Sequence, residues 1–95
     1  MDIESIKYTM SPVFEKYGIT YAAIFGSFAR GEAKETSDID LMVRLGKPMG
    51  MIDYMKFINS LESVTKRKVD VLTEKSLNKH IAPYVKSDIQ TIYEK

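Results

Sequence analysis

The chain has 95 residues, which is room for one compact domain and no more, so residues 1–95 are read as a single unit. Its 14 Lys and Arg nearly cancel its 13 Asp and Glu, and total charge gives no sign of a general nucleic-acid or membrane binder. There is no cysteine, which excludes disulfides and thiolate metal sites.

Met1-Asp2-Ile3-Glu4 opens on acids, no apolar run follows, and no stretch is long enough to cross a bilayer. The expectation is a cytoplasmic protein. Ile3, Ile6, Met10, Val13, Phe14 and Tyr17 recur at helical spacing. Pro12 interrupts this first helix, but the stripe stays in phase across it, which favours one kinked helix over two. Gly18 suits the left-handed residue that ends a helix. Residues 20–25 are short, apolar and aromatic, and predict a buried strand that runs straight into Gly26-Ser27. Residues 31–37 form a polar loop, and 38–45 alternate as a second strand, with Ile39, Leu41 and Val43 on one face and Asp38, Asp40 and Met42 on the other.

Gly46, Pro48 and Gly50 mark the next loop. Met51, Tyr54, Met55, Ile58 and Leu61 then predict a helix over 51–65, closed by the cations Lys66, Arg67 and Lys68. Residues 69–72 read as a third strand. In the tail, Leu77, Ile81, Tyr84 and Val85 suggest helix interrupted by Pro83, and 89–93 fit a short closing strand. The order predicts an α+β fold, a small mixed sheet with helices packed on it.

Three features carry chemistry. Gly26 lets backbone approach a ligand closely, and the amides that follow, opening a helical turn through Arg30, can point at an anion. Ser27 adds a hydroxyl and Arg30 a cation. Asp38 and Asp40 share a strand face about 6–7 Å apart. Carboxylates so placed repel by roughly 2–3 kcal/mol at an effective dielectric near 20. Asp70 brings a third acid, and all three converge if their strands are neighbours. Hard oxygen ligands of this kind suit Mg2+ or Mn2+, and two such ions can hold the attacking and leaving oxygens of an in-line displacement at phosphorus.

Each feature also has an ordinary reading. Asp38 could cap a turn while Asp40 pairs with Arg44. Asp70 could be a surface acid, and Arg30 a solvated or salt-bridged cation. The Lys66-Arg67-Lys68 run reads as a helix end rather than a nucleic-acid contact. His80 has no evident catalytic role, and the six methionines fit core filling.

Phe25-Gly26-Ser27-Phe28-Ala29-Arg30-Gly31, then Ser37-Asp38-Ile39-Asp40-Leu41 with ten residues between Ser27 and Asp38, resembles the signature of the minimal nucleotidyltransferases of the DNA polymerase beta superfamily. Lys68-Val69-Asp70-Val71-Leu72 is similar to the segment that carries the family's third carboxylate. The resemblance spans nearly the whole chain. It implies that Gly26 and Ser27 hold the triphosphate tail, that Asp38 and Asp40 bind both metal ions, and that Asp70 completes the site of the ion that activates the acceptor hydroxyl. Arg30 matches the family arginine, as phosphate contact or loop anchor. Arg44 departs from the pattern, since acidic or neutral residues are usual there.

The resemblance further implies ATP as substrate, AMP as the group moved, and a small helical HEPN-type toxin as partner, with this chain as its antitoxin. No stable nucleic-acid binding is expected of this chain alone. A subunit acting on an aminoglycoside-like small molecule, and a non-catalytic antitoxin that neutralises by contact, are the alternatives. The intact Asp38, Asp40 and Asp70 weigh against the second.

Overall fold

The computed structural model describes residues 2–34, 37–74 and 89–95. The elements run α1 (Ile3–Lys16), β1 (Ile19–Phe25), β2 (Ile39–Leu45), α2 (Met51–Thr65), β3 (Val69–Thr73) and β4 (Gln90–Glu94). This is the predicted order, and the closing strand is present. The expected helix interrupted by Pro83 falls among residues 75–88, as does His80, outside the described residues.

Asp2 caps α1 through a hydrogen bond from the Ser5 amide (2.8 Å). The helix continues through Pro12 as one element. The carbonyl that Pro12 cannot bond is that of Tyr8, an exposed residue, so water can satisfy it. Gly18 ends the helix at φ +71°, as its position after Tyr17 suggests. At the end of α2 the left-handed cap is Lys66, at φ +56°, where a glycine would be the usual choice.

The strands form one mixed sheet in the order β3-β2-β1-β4. β1 pairs antiparallel with both β2 and β4, whereas β2 and β3 are parallel. A parallel pair needs a crossover, and α2 supplies it. Ile6, Met10 and Phe14 of α1 and Phe57 and Leu61 of α2 are fully buried with Ile24, Leu41, Val43 and Ile92 of the sheet. Phe57 packs against Phe14 and Tyr17, with ring centroids 6.2 and 5.5 Å away.

One expectation fails on α2. Met51 and Met55 are 75% and 56% exposed, and the buried line is Phe57, Leu61 and Thr65, flanked by Tyr54 and Ile58. Both lines share Tyr54, Ile58 and Leu61 at helical spacing, and contact with α1 and the sheet selects the one through Phe57. The methionines are therefore only partly core filling: Met10 and Met42 are buried, Met51 and Met55 are not.

β3 is an edge strand, and α2 covers part of that edge. Glu62 accepts a hydrogen bond from the Val69 amide (3.0 Å), and the Tyr54 hydroxyl donates to the Val71 carbonyl (3.3 Å). The opposite face of the sheet carries a second, smaller apolar group of Ala23 and Met42 with Tyr21, Phe25 and Ile89. Asp40 projects on that face, because it alternates with the core residues Ile39 and Leu41.

Candidate active site

β1 ends at Phe25, and the chain turns at Gly26, φ +77°. A single helical turn follows, closed by the Arg30 amide donating to the Gly26 carbonyl (3.1 Å) and ended by Gly31 at φ +72°. The turn gives the amides of Ser27 and Phe28 no carbonyl partner of its own, which is the situation at a helix N-terminus. Phe28, 5% exposed, plugs the turn into the main core. Gln90 at the start of β4 donates to the Ala29 carbonyl (2.6 Å).

The β1–β2 register sets Phe25 opposite Asp40, and the β2–β3 register sets Asp40 beside Asp70. Neighbouring strands lie about 4.8 Å apart, so two carboxylates meet across the parallel pair. Asp38 sits just before β2, half-buried. Burial holds the Asp40 carboxyl above the ordinary carboxylate range; the negative charges of Asp70 and Asp38 push the same way, and Arg30 opposes them. The acids and the arginine that the sequence singled out thus all act on one carboxyl. Gly26 is joined to them sterically: a Cβ there would run into Asp40 Oδ2. The Gly26 turn and the acid pair thus share one spot.

The ordinary reading of Asp40 as the partner of Arg44 does not hold. Arg44 donates to Glu74 (2.7 Å) and lies over the Tyr21 ring, 5.2 Å from its centroid. Arg30 also bonds Glu32 (3.1 Å), so it is held beside the acids as part of an ion pair.

The donors fit a hard divalent cation: carboxylate oxygens only, with repulsion at Asp40 that a cation would relieve. Among the described residues, no three acidic or histidine side chains enclose an ion by themselves. Mg2+ takes few protein carboxylates and completes its shell with water and phosphate oxygens. A cleft of about 570 Å³ beside the turn is walled by Asp2, Phe28, Arg30 and Gln90 among others, but by none of the three aspartates. Asp70 is exposed. The acids lie on the sheet face that α1 and α2 leave uncovered.

The nucleotidyltransferase domain family matches residues 11–93. This chain belongs to that family. The nucleotidyltransferase is 44% identical over 78 residues to a Methanocaldococcus jannaschii protein provisionally named a protein adenylyltransferase, covering 82% of this chain and 84% of that one. It is 32% identical over 75 residues to the protein adenylyltransferase MntA of Thermococcus cleftensis, covering 79% and 76%. Its fold matches a chain in the solved complex of a tri-AMPylated Shewanella oneidensis HEPN toxin with an MNT antitoxin, at a TM-score of 0.72 and 15% identity, over 98% of this chain and 73% of that one. Family, fold and relatives make it an enzyme of the minimal nucleotidyltransferase type. Among its described residues no helix is long and apolar enough to cross a membrane.

Sequence reasoning missed Gln90 and Arg67 as parts of this site's frame. Gln90 carries no motif. Arg67 stands in a basic run that a helix end explains equally well, yet its guanidinium lies 5.2 Å from the Phe28 ring centroid.

Proposed function

We propose that this nucleotidyltransferase moves AMP from ATP onto a tyrosine hydroxyl of a small helical HEPN-type toxin, and that it acts as the antitoxin of that pair. The observation that carries the reading is the close approach of Gly26 to Asp40, where a Cβ would run into the carboxylate, which supports a phosphate turn set against the acids. The names of the relatives support adenylyl transfer, and the AMPylated toxin in the matched complex supports the acceptor class.

Gly26 and Ser27 hold the triphosphate tail with backbone amides and a hydroxyl, and Arg30 adds positive charge beside it. Asp38, Asp40 and Asp70 would hold two Mg2+ ions, or Mn2+ in their place, and such ions would supply charge that polarises the α-phosphate and eases deprotonation of the acceptor hydroxyl. Asp70, exposed on the edge strand, takes the proton of the arriving hydroxyl. The hydroxyl oxygen bonds to the α-phosphorus, the bond from that phosphorus to the bridging oxygen breaks, and pyrophosphate leaves. One small domain cannot both cradle a triphosphate and enclose an acceptor, so the partner closes the uncovered face. Each added AMP brings negative charge to the toxin, which weakens its hold on an RNA backbone.

The test mixes the purified protein with a candidate HEPN-type partner, ATP and Mg2+, and weighs that partner intact. A gain of one or more AMP units, lost when the acceptor tyrosine becomes phenylalanine, is expected. Unchanged mass with toxicity still blocked would mean neutralisation by contact. AMP appearing on an added aminoglycoside instead would move the acceptor to a small molecule.

A further inference from the structure

We propose that Arg67 is a positioning residue that sets the metal-binding acid Asp38 against the phosphate-binding turn. The inference rests on the reading of Asp38 and Asp40 as metal ligands.

Arg67 follows the left-handed cap of α2 and precedes β3. Its Nη1 donates to the carbonyls of Lys34 and Ser37, at 3.2 Å each. Those two residues close on each other: the Lys34 amide donates to Ser37 Oγ (2.8 Å), and the Ser37 amide donates to the Lys34 carbonyl (3.0 Å). One residue further on, the Lys68 carbonyl accepts from the Ile39 amide (2.9 Å). Asp38 lies between Ser37 and Ile39. Its two chain neighbours are therefore both fastened to the segment of Arg67 and Lys68. The same guanidinium lies over the ring of Phe28, inside the turn that follows Gly26.

One planar group thus touches the turn and the loop that delivers the first acid, and the third acid, Asp70, lies three residues along the same strand entry. A guanidinium suits this task because its donors are fixed in a plane that can also stack on a ring. A helix-end cation would need none of these contacts. Without the bracket the loop keeps its chain connection to β2 but loses its register against the turn. Phosphate and carboxylate then no longer meet one cation in a fixed geometry.

The experiment is calorimetry of ATP binding, with Mg2+ and after exhaustive chelation, on wild type, Arg67→Met, Arg67→Lys and Asp40→Asn, each well below its melting temperature. The readout is the ratio of the two affinities. Outer contacts that orient metal ligands are commonly worth about 10–100-fold in metal affinity, so the ratio should fall about ten-fold or more in Arg67→Met, with metal-free ATP bound as in wild type. Arg67→Lys keeps the charge and should fall as far, which places the effect in the planar fork. A wild-type ratio in either variant overturns the inference, and so does a parallel loss of both affinities, which marks a general defect. Asp40→Asn should abolish the metal effect. If it does and the Arg67 variants do not change the ratio, the acids stand and only the Arg67 inference falls; if Asp40→Asn keeps the wild-type ratio, the reading of the acids falls first.

Discussion

Asp40 is the residue at which local structure and chemistry pull hardest against each other. Its strand position puts it beside Asp70, and its burial and neighbours raise its pKa. A group whose folded pKa lies above its unfolded value resists ionisation in the native state. It therefore lowers stability at neutral pH, and this penalty disappears as pH falls below the ordinary carboxylate value. Asp40→Asn should accordingly stabilise the metal-free protein, by up to about 1 kcal/mol after allowance for the carboxyl's partial solvation. For a domain of this size that is a rise of about 4–8 °C or less. Melting curves of both proteins from pH 7 down to pH 3 should converge at the acid end. The same variant should lose AMP transfer. Near wild-type transfer, or a gap in melting temperature that widens in acid, would count against the assignment. At Gly26 the same carboxylate explains why the position has no room for a side chain.

At the scale of elements, α2 does more than cover the sheet. Its Glu62 binds the Val69 amide and its Tyr54 the Val71 carbonyl, so the helix occupies edge groups of the strand that carries Asp70. Glu62→Ala removes the partner of a part-buried amide and should cost about 1–3 kcal/mol. Denaturant midpoints report the cost, and hydrogen exchange at the Val69 amide should accelerate beyond what the lower global stability explains. If exchange there follows global unfolding in both proteins, the contact is not fixing that edge. The basic run after α2 shows how an element boundary hides a role: Lys66 turns the chain, Arg67 reaches Phe28 and the loop at Lys34 and Ser37, and Lys68 begins the pairing with β2.

At the scale of the molecule, helices pack on one face of the sheet and the acids occupy the other. On the proposed reading, a nucleotide bound there would meet like charge, since its phosphates would approach carboxylates, and divalent cations would offset that repulsion. Calorimetry should show ATP affinity falling by an order of magnitude or more once Mg2+ is chelated, about 1.4 kcal/mol per factor of ten. Equal affinity with and without the cation would remove the acids from the nucleotide site. Arg30 shares its charge with Glu32, and Arg44 is paired with Glu74.

The sequence by itself determined which of the described segments are helix or strand, because burial on one side imposes a period near 3.6 or 2 whatever the neighbours are. It also pointed to the family, because Gly26-Ser27 and Asp38-x-Asp40 are local patterns at fixed spacing. What only the tertiary structure decided were matters of register between distant segments. Met51 and Met55 share their helical spacing with the true core line through Phe57, and only contact with α1 and the sheet separates the two. Asp70 is matched to the family's third carboxylate by its segment, but that it lies beside Asp40 rests on the parallel pairing of β2 and β3. Arg67 is an ordinary helix-end cation until that pairing brings it onto Ser37, thirty residues away, and onto the ring of Phe28. Such contacts depend on how strands are ordered, and no local pattern encodes that order.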